Sequence, residues 1–117
     1  MTTIHNGEEV TVKHGDTATV LTGGRAYVRD GATAVVMAGG VAVIMAGGKA
    51  TVHDGGSAWI RHGGRATVES GGYADILAGG EAYIHNGGMA NVESGGVAYV
   101  RDGGVAYVEE GGYEYRI

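Results

Sequence analysis

Glycine returns at every eighth position from Gly7 to Gly111 without exception, and no other feature constrains this chain so tightly. Gly7, Gly15, Gly23, Gly31, Gly39, Gly47, Gly55, Gly63, Gly71, Gly79, Gly87, Gly95, Gly103 and Gly111 therefore define one class of an octapeptide repeat. In many copies the preceding residue is Asn, Asp, Ser or His, as at Asn6, Asp54, Ser70 and His62. Asx or Ser before Gly marks a turn, because glycine accepts positive φ without steric cost. The position after each of these glycines is usually glycine too, but Glu8, Asp16 and Ala32 also occupy it. From the sequence, only the first glycine is expected to be obligatory, and Gly64 is expected to tolerate alanine better than Gly63 tolerates valine.

Between turns the residues alternate. One class runs Ala18, Ala26, Ala34 and onward to Ala106, and a second runs Ile4, Val12, Val20 and onward to Val108 with no polar member. The class between them mixes Thr19, Tyr27, Val35, Trp59, Asp75 and Asn91. A period of two with β-branched residues predicts a short strand with Ala and Val inward. A strand this short cannot bury its own apolar face, so the copies must stack. An antiparallel meander leaves a whole Ala/Val face in water, at a loss of roughly 1.5–3 kcal/mol per valine. A coil of two repeats places residue i on i+16 and gathers Thr3, Thr19, Val35, Thr51, Thr67, Tyr83, Tyr99 and Tyr115 into one column. A coil of three repeats scrambles that column. The expected fold is all-β: a two-sided parallel β-solenoid with about 16 residues per coil, roughly 34 Å long at ordinary strand spacing. Residues 1–117 form a single repeat domain, with 113–117 as a terminating strand, because Glu114 and Arg116 stand where Ala and Val otherwise stand.

Composition narrows the function. The chain has 117 residues and no cysteine or proline, which excludes a disulfide framework and a zinc–thiolate site. Net charge is −5, and residues 66–117 carry two Lys/Arg against eight Asp/Glu. No basic patch is present, so no nucleic-acid partner is expected. No run of about 18 apolar residues exists, so no helical membrane insertion is expected. The opening MTTIHNGEEV lacks the basic region and apolar core of a secretory signal.

The repeats GGRATVES, GGKATVHD and GGVAYVRD resemble the Gly-Gly octapeptide repeats in passengers of AIDA-type autotransporter adhesins. The resemblance covers nearly the whole chain. It implies a surface-exposed β-solenoid that supports adhesion, and a cell-surface location if the chain is a segment of such a protein; otherwise the location is cytoplasmic. Calcium-binding nonapeptide rolls differ, since they need an aspartate in each nine-residue repeat.

Candidate sites are few. His5, His53 and His85 share an outward column with Glu69, but His53 and His85 lie two coils apart, near 10 Å, too far to share one metal ion unaided. Glu93 and Glu109 are neighbours beside Asp75 and Asn91, on a flat face with no cleft to shift a pKa. No nucleophile–base pair stands out, and Ser57, Ser70 and Ser94 lie at or near turns. No catalytic, cofactor or metal residue is assigned, and the chain is read as non-enzymatic. Its expected role is a rigid rod of an adhesin or fibre-like protein. The alternatives are a carbohydrate binder using an aromatic flat face, or an idealised repeat scaffold. The expected interface comprises Tyr27, Val35, Met37, Val41, Val43, Met45, Trp59, Tyr99, Tyr107, Tyr113 and Tyr115, and homo-oligomerisation, with a dimer favoured, is expected through it.

Overall fold

The computed structural model describes residues 2–117. Its strands recur every eight residues. They begin with β1 (Thr2–Ile4), β2 (Glu9–Val12) and β3 (Thr17–Val20) and end with β12 (Met89–Val92), β13 (Val97–Val100), β14 (Val105–Val108) and β15 (Tyr113–Arg116). The odd-numbered strands form one eight-stranded sheet and the even-numbered strands form a seven-stranded sheet. Every pairing is parallel, and each residue sits beside the residue sixteen later, as in Thr19↔Val35 and Ile44↔Ile60. The chain is thus a two-sided β-solenoid, with principal extents of 35 × 24 × 20 Å. Neither a third side nor an antiparallel hairpin occurs among the described residues.

Two hydrogen-bond patterns make the corners. Within a corner, the fourth residue donates back to the first: Gly24 N–H to the Leu21 carbonyl at 2.9 Å, Gly64 N–H to that of Arg61 at 2.8 Å. The turn glycine stands third, where φ between 75° and 88° is observed from Gly7 to Gly111, the region type II turns require. Between corners, each turn glycine donates to the turn glycine of the next coil, as Gly55 does to the Gly71 carbonyl at 3.0 Å. The ladder therefore continues around the bends, and few backbone groups are left unpaired along the rod.

The second glycine is closely packed in most coils. A Cβ on Gly64 lies 2.6 Å from the Ile44 carbonyl oxygen and 3.0 Å from Ile44 Cγ2. The same collision recurs along the rod: Gly24 with Ile4, Gly40 with Val20, Gly72 with Val52 and Gly96 with Ile76. From Ile4 to Val92, each inward Val or Ile except Val12 is roofed by the glycine twenty residues later, and a Cβ at that glycine meets its carbonyl or side chain closely. Glu8 and Asp16 occupy the same class in the first coil, and Ala32 falls over Val12 while both are buried, so a methyl group is accommodated at that coil.

The core is a thin slab of Ala, Val and Ile. Ala18, Val20, Ile44, Ile60, Ala74 and Ile84 are fully buried, and no polar or charged residue among the described residues is buried with them. Alanine suits the slab because the two sheets approach closely. Burial of each valine or isoleucine supplies roughly 1.5–3 kcal/mol.

Candidate interaction surfaces

Parallel in-register stacking turns the outward columns into ladders of like side chains. On the odd-strand face, the Tyr83 and Tyr99 rings stack with centroids 5.0 Å apart and planes at 21°. Tyr99 and Tyr115 continue the stack at 5.5 Å and 19°. Both faces of the Tyr99 ring are therefore occupied by its neighbours. Sugar recognition by aromatic residues uses a free ring face, so Tyr99 offers mainly its ring edge and hydroxyl.

The even-strand face carries Tyr27, Val43 and Trp59 in register. Val43 is only 4% exposed, because the larger rings on both sides enclose it. Its place in the expected interface is therefore corrected: it is a buried residue between two aromatics. Tyr27, Val35, Val41 and Met45 are half-buried, while Met37 and Trp59 are exposed. Because Val35 and Met37 belong to one side and Val41 and Met45 to the other, these residues do not form one continuous patch.

Further along the even-strand face, Asn91 Nδ2 donates to Asp75 Oδ1 at 3.2 Å. Glu93 and Glu109 lie beside them. Partial desolvation, with the charges of Asp75 and then Glu109, raises the Glu93 carboxyl above the usual glutamate range. Burial, with the charges of Asp75 and Glu93, likewise raises the Tyr73 phenol. Among the described residues no group of three His, Cys, Asp or Glu side chains is placed to hold a metal ion. The cluster is an acidic surface under mild self-repulsion.

The histidine column lies on one corner. His85, Glu69, Arg101 and Ile117 line an open groove of about 670 Å³ together with Ser70, Asn86 and Asp102. Its charges are mixed and its walls are the exposed turns themselves. His14 and His62 sit on the opposite corner, and His14 Nδ1 lies 3.1 Å from the Asp30 carbonyl oxygen. Ser70 and Ser94 are exposed turn residues whose hydroxyls lie over Gly87 and Gly111 of the next coil. The surface ion pairs, Arg65–Glu81 at 3.3 Å and Arg25–Glu9 at 3.7 Å, are exposed and contribute little.

The two ends differ. At the first coil, Thr2 Oγ1 donates to Asp16 Oδ2 at 2.8 Å, and the Thr17 N–H donates to Asp16 Oδ1 at 2.9 Å. The Thr2 hydroxyl and then the Thr17 amide hold the Asp16 carboxyl below the usual aspartate range. Glu8 Oε1 accepts from the His5 N–H at 2.7 Å. At the last coil, Glu114 and Arg116 face inward and pair at 2.9 Å, and Arg116 Nη1 donates to the Gly104 carbonyl at 3.1 Å. Val105, Tyr107, Val108, Tyr113, Tyr115 and Ile117 remain exposed around them. Sequence reasoning placed Tyr107, Tyr113 and Tyr115 on this surface but missed Val105, Val108 and Ile117.

No protein family model matches the chain, and no curated protein matches it. Among solved structures, it is similar to a crystal structure of a TibC-catalysed hyper-glycosylated TibA fragment. The two are 32% identical over 98% of this chain and 52% of that one, with a TM-score of 0.43. This chain therefore spans about half the length of that fragment.

Proposed function

We propose that the chain is a non-enzymatic structural module, a rigid rod within a surface adhesin or fibre-like protein. The observation that carries this reading is the uninterrupted slab of Ala, Val and Ile, with no polar residue buried in it. Catalysis needs groups withdrawn from water and held against one another. Here the titratable groups are on open faces and corners, and the fold spends its sequence on regular stacking. The repeats GGRATVES and GGVAYVRD, which resemble those of AIDA-type passengers, agree with a role in presenting or spacing other parts of a surface protein.

The test pairs shape with ligand screening. Small-angle X-ray scattering of the rod reading should return a stiff particle of fixed length, and a glycan array should return no specific ligand. A glycan bound with micromolar affinity, and lost in Trp59→Ala, replaces the spacer by a carbohydrate-binding reading. Trp59 is the informative position because it stands outside the tyrosine ladder and is 44% exposed.

A further inference from the structure

We propose that Asn6–Gly7 and Asn86–Gly87 are latent self-modification sites, in which the glycine nitrogen converts the asparagine to isoaspartate or aspartate only while the coil stacked on that turn is lifted away. Chemistry at these two corners is independent of what the rod presents or spaces.

Among the turn glycines, Gly7 and Gly87 follow an asparagine. Glycine presents its backbone nitrogen to the preceding side chain with no Cβ to obstruct the approach. The reaction balances with water as the sole co-reactant. The glycine nitrogen bonds to asparagine Cγ and gives up its proton; the Cγ–Nδ2 bond breaks and ammonia leaves. Water then opens the five-membered imide at one of its two carbonyls. One opening leaves aspartate. The other leaves isoaspartate, whose main chain runs through Cγ and is one atom longer.

Three features of the closed corner hold this reaction back. First, the Gly87 N–H donates to the Gly103 carbonyl at 3.0 Å, and the Gly7 N–H to the Gly23 carbonyl at 3.0 Å, so the nucleophile's proton is committed to the next coil. Second, the carboxamide lies over the turn glycine of that same coil, Asn86 over Gly103 and Asn6 over Gly23, in the space a Cβ there would fill. Third, the turn itself has the wrong twist. The Gly88 N–H donates to the His85 carbonyl at 2.9 Å, Asn86 has negative φ, and Gly87 has φ of 84°. That combination is a type II turn, which sets ψ of its second residue near about +120°. Ring closure needs asparagine Cβ, Cα, the carbonyl carbon and the glycine nitrogen nearly coplanar, and at that ψ the Cβ stands far out of plane. The peptide group between the two residues must swing round, and that breaks the ladder bond. Lifting of the next coil therefore releases the nucleophile and the carboxamide together.

The two products differ in whether the corner can close again. Aspartate occupies the same place naturally at Asp30, Asp54 and Asp102, so that product restacks. Isoaspartate adds a main-chain atom to a turn held between two fixed registers, Ile84↔Val100 before it and Met89↔Val105 after it. Opening of the corner is thus recorded there as a permanent lesion. Asn91 supplies a contrast within the same chain. It lies in β12, its Nδ2 donates to Asp75 Oδ1 at 3.2 Å, and the branched Val92 follows it and crowds the attacking nitrogen. Asn91 does not react.

Amide exchange at Gly87, corrected for its intrinsic rate, gives the fraction of time this corner is open. Peptide mass spectrometry of the chain held in mildly alkaline buffer gives the deamidation rate, and enzymatic methylation of the freed α-carboxylate counts isoaspartate. In chain unfolded by guanidinium chloride, Asn6 and Asn86 should both deamidate while Asn91 stays intact. In the folded chain, Asn86 should deamidate more slowly in proportion to the open fraction, by at least about a hundredfold. Guanidinium chloride below the unfolding transition should raise Gly87 exchange and Asn86 deamidation together. After refolding, the aspartate product should regain protection at Gly87 and the isoaspartate product should not. A folded chain that deamidates at close to the unfolded rate, or faster than the open fraction allows, overturns the proposal. So does an unfolded chain in which Asn6 and Asn86 react no faster than Asn91, or an isoaspartate product that regains protection at Gly87.

Discussion

The first and last coils are made of the same octapeptide, yet one is sealed and the other is open. Ile4 and Val12 in the first coil are 0% and 2% exposed, whereas Val108 in the last is 39% exposed. The difference lies in the direction of the roof. Each inward Val or Ile is covered by the following coil, Ile4 by Val20 and Gly24, and Val100 by Arg116. Val108 has no such cover. A parallel solenoid is therefore polar in a packing sense: each coil is covered by the one that follows it rather than by the one before.

The largest expected effect breaks this comparison directly. Ile4→Ala should cost about 2–5 kcal/mol, as for any buried isoleucine, although it lies in the outermost strand. Val108→Ala should cost less than about 1 kcal/mol under conditions where the chain is monomeric. Denaturant unfolding of both variants decides it, and equal losses would mean that the ends are equivalent.

A smaller effect sharpens the same point through the roof itself. Gly64→Ala should destabilise by about 1–3 kcal/mol, because its methyl group must displace the Ile44 carbonyl and Cγ2 beneath it. Ala32→Gly, at the equivalent position over the first coil, should change stability by less than about 1 kcal/mol. A Gly64→Ala chain with an unaltered melting temperature shows that the coils slide apart to admit a methyl group.

The smallest effect is electrostatic and has opposite signs in the two halves. Asp16 titrates below its ordinary range, so its contribution is in place above the unfolded aspartate pKa and is lost as pH falls through the folded value. Glu93 titrates above its ordinary range, so its contribution is in place below the unfolded glutamate pKa and is lost as pH rises through the folded value. Between about pH 6 and pH 3, the first coil should loosen while the acidic face around Glu93 tightens. Amide exchange corrected for intrinsic rates reads both ends in one experiment. Asp16→Asn should abolish the first trend and Glu93→Gln the second.

The fold was legible because its contacts repeat with the period of the sequence. Columns such as Ile44, Ile60 and Ile76, or Tyr83, Tyr99 and Tyr115, are visible by counting sixteen residues, and the pairing follows that count. What counting could not give is contact between columns. The roof of Ile44 by Gly64 joins two different classes of the repeat, so the close packing of the second glycine is not visible from its own class, in which Glu8, Asp16 and Ala32 also occur. Val43 read as exposed from its class alone, but exposure depends on the size of Tyr27 and Trp59 on either side. The Tyr99 column was predicted, while the loss of its ring faces to stacking follows from the 5 Å repeat of the coils.

The forward-leaning roof also bears on how such a chain is made. The residues that close a given coil lie sixteen to twenty positions further along the polypeptide. A nascent chain leaving the ribosome amino terminus first cannot finish the coil it has just formed until about another turn and a quarter has emerged. Its growing tip is permanently sticky, and the finished body behind it is inert. Removal of whole coils from the amino-terminal side leaves a body whose valines remain covered. Removal from the carboxy-terminal side uncovers a fresh row at each cut, so the two kinds of truncation yield products of very different solubility.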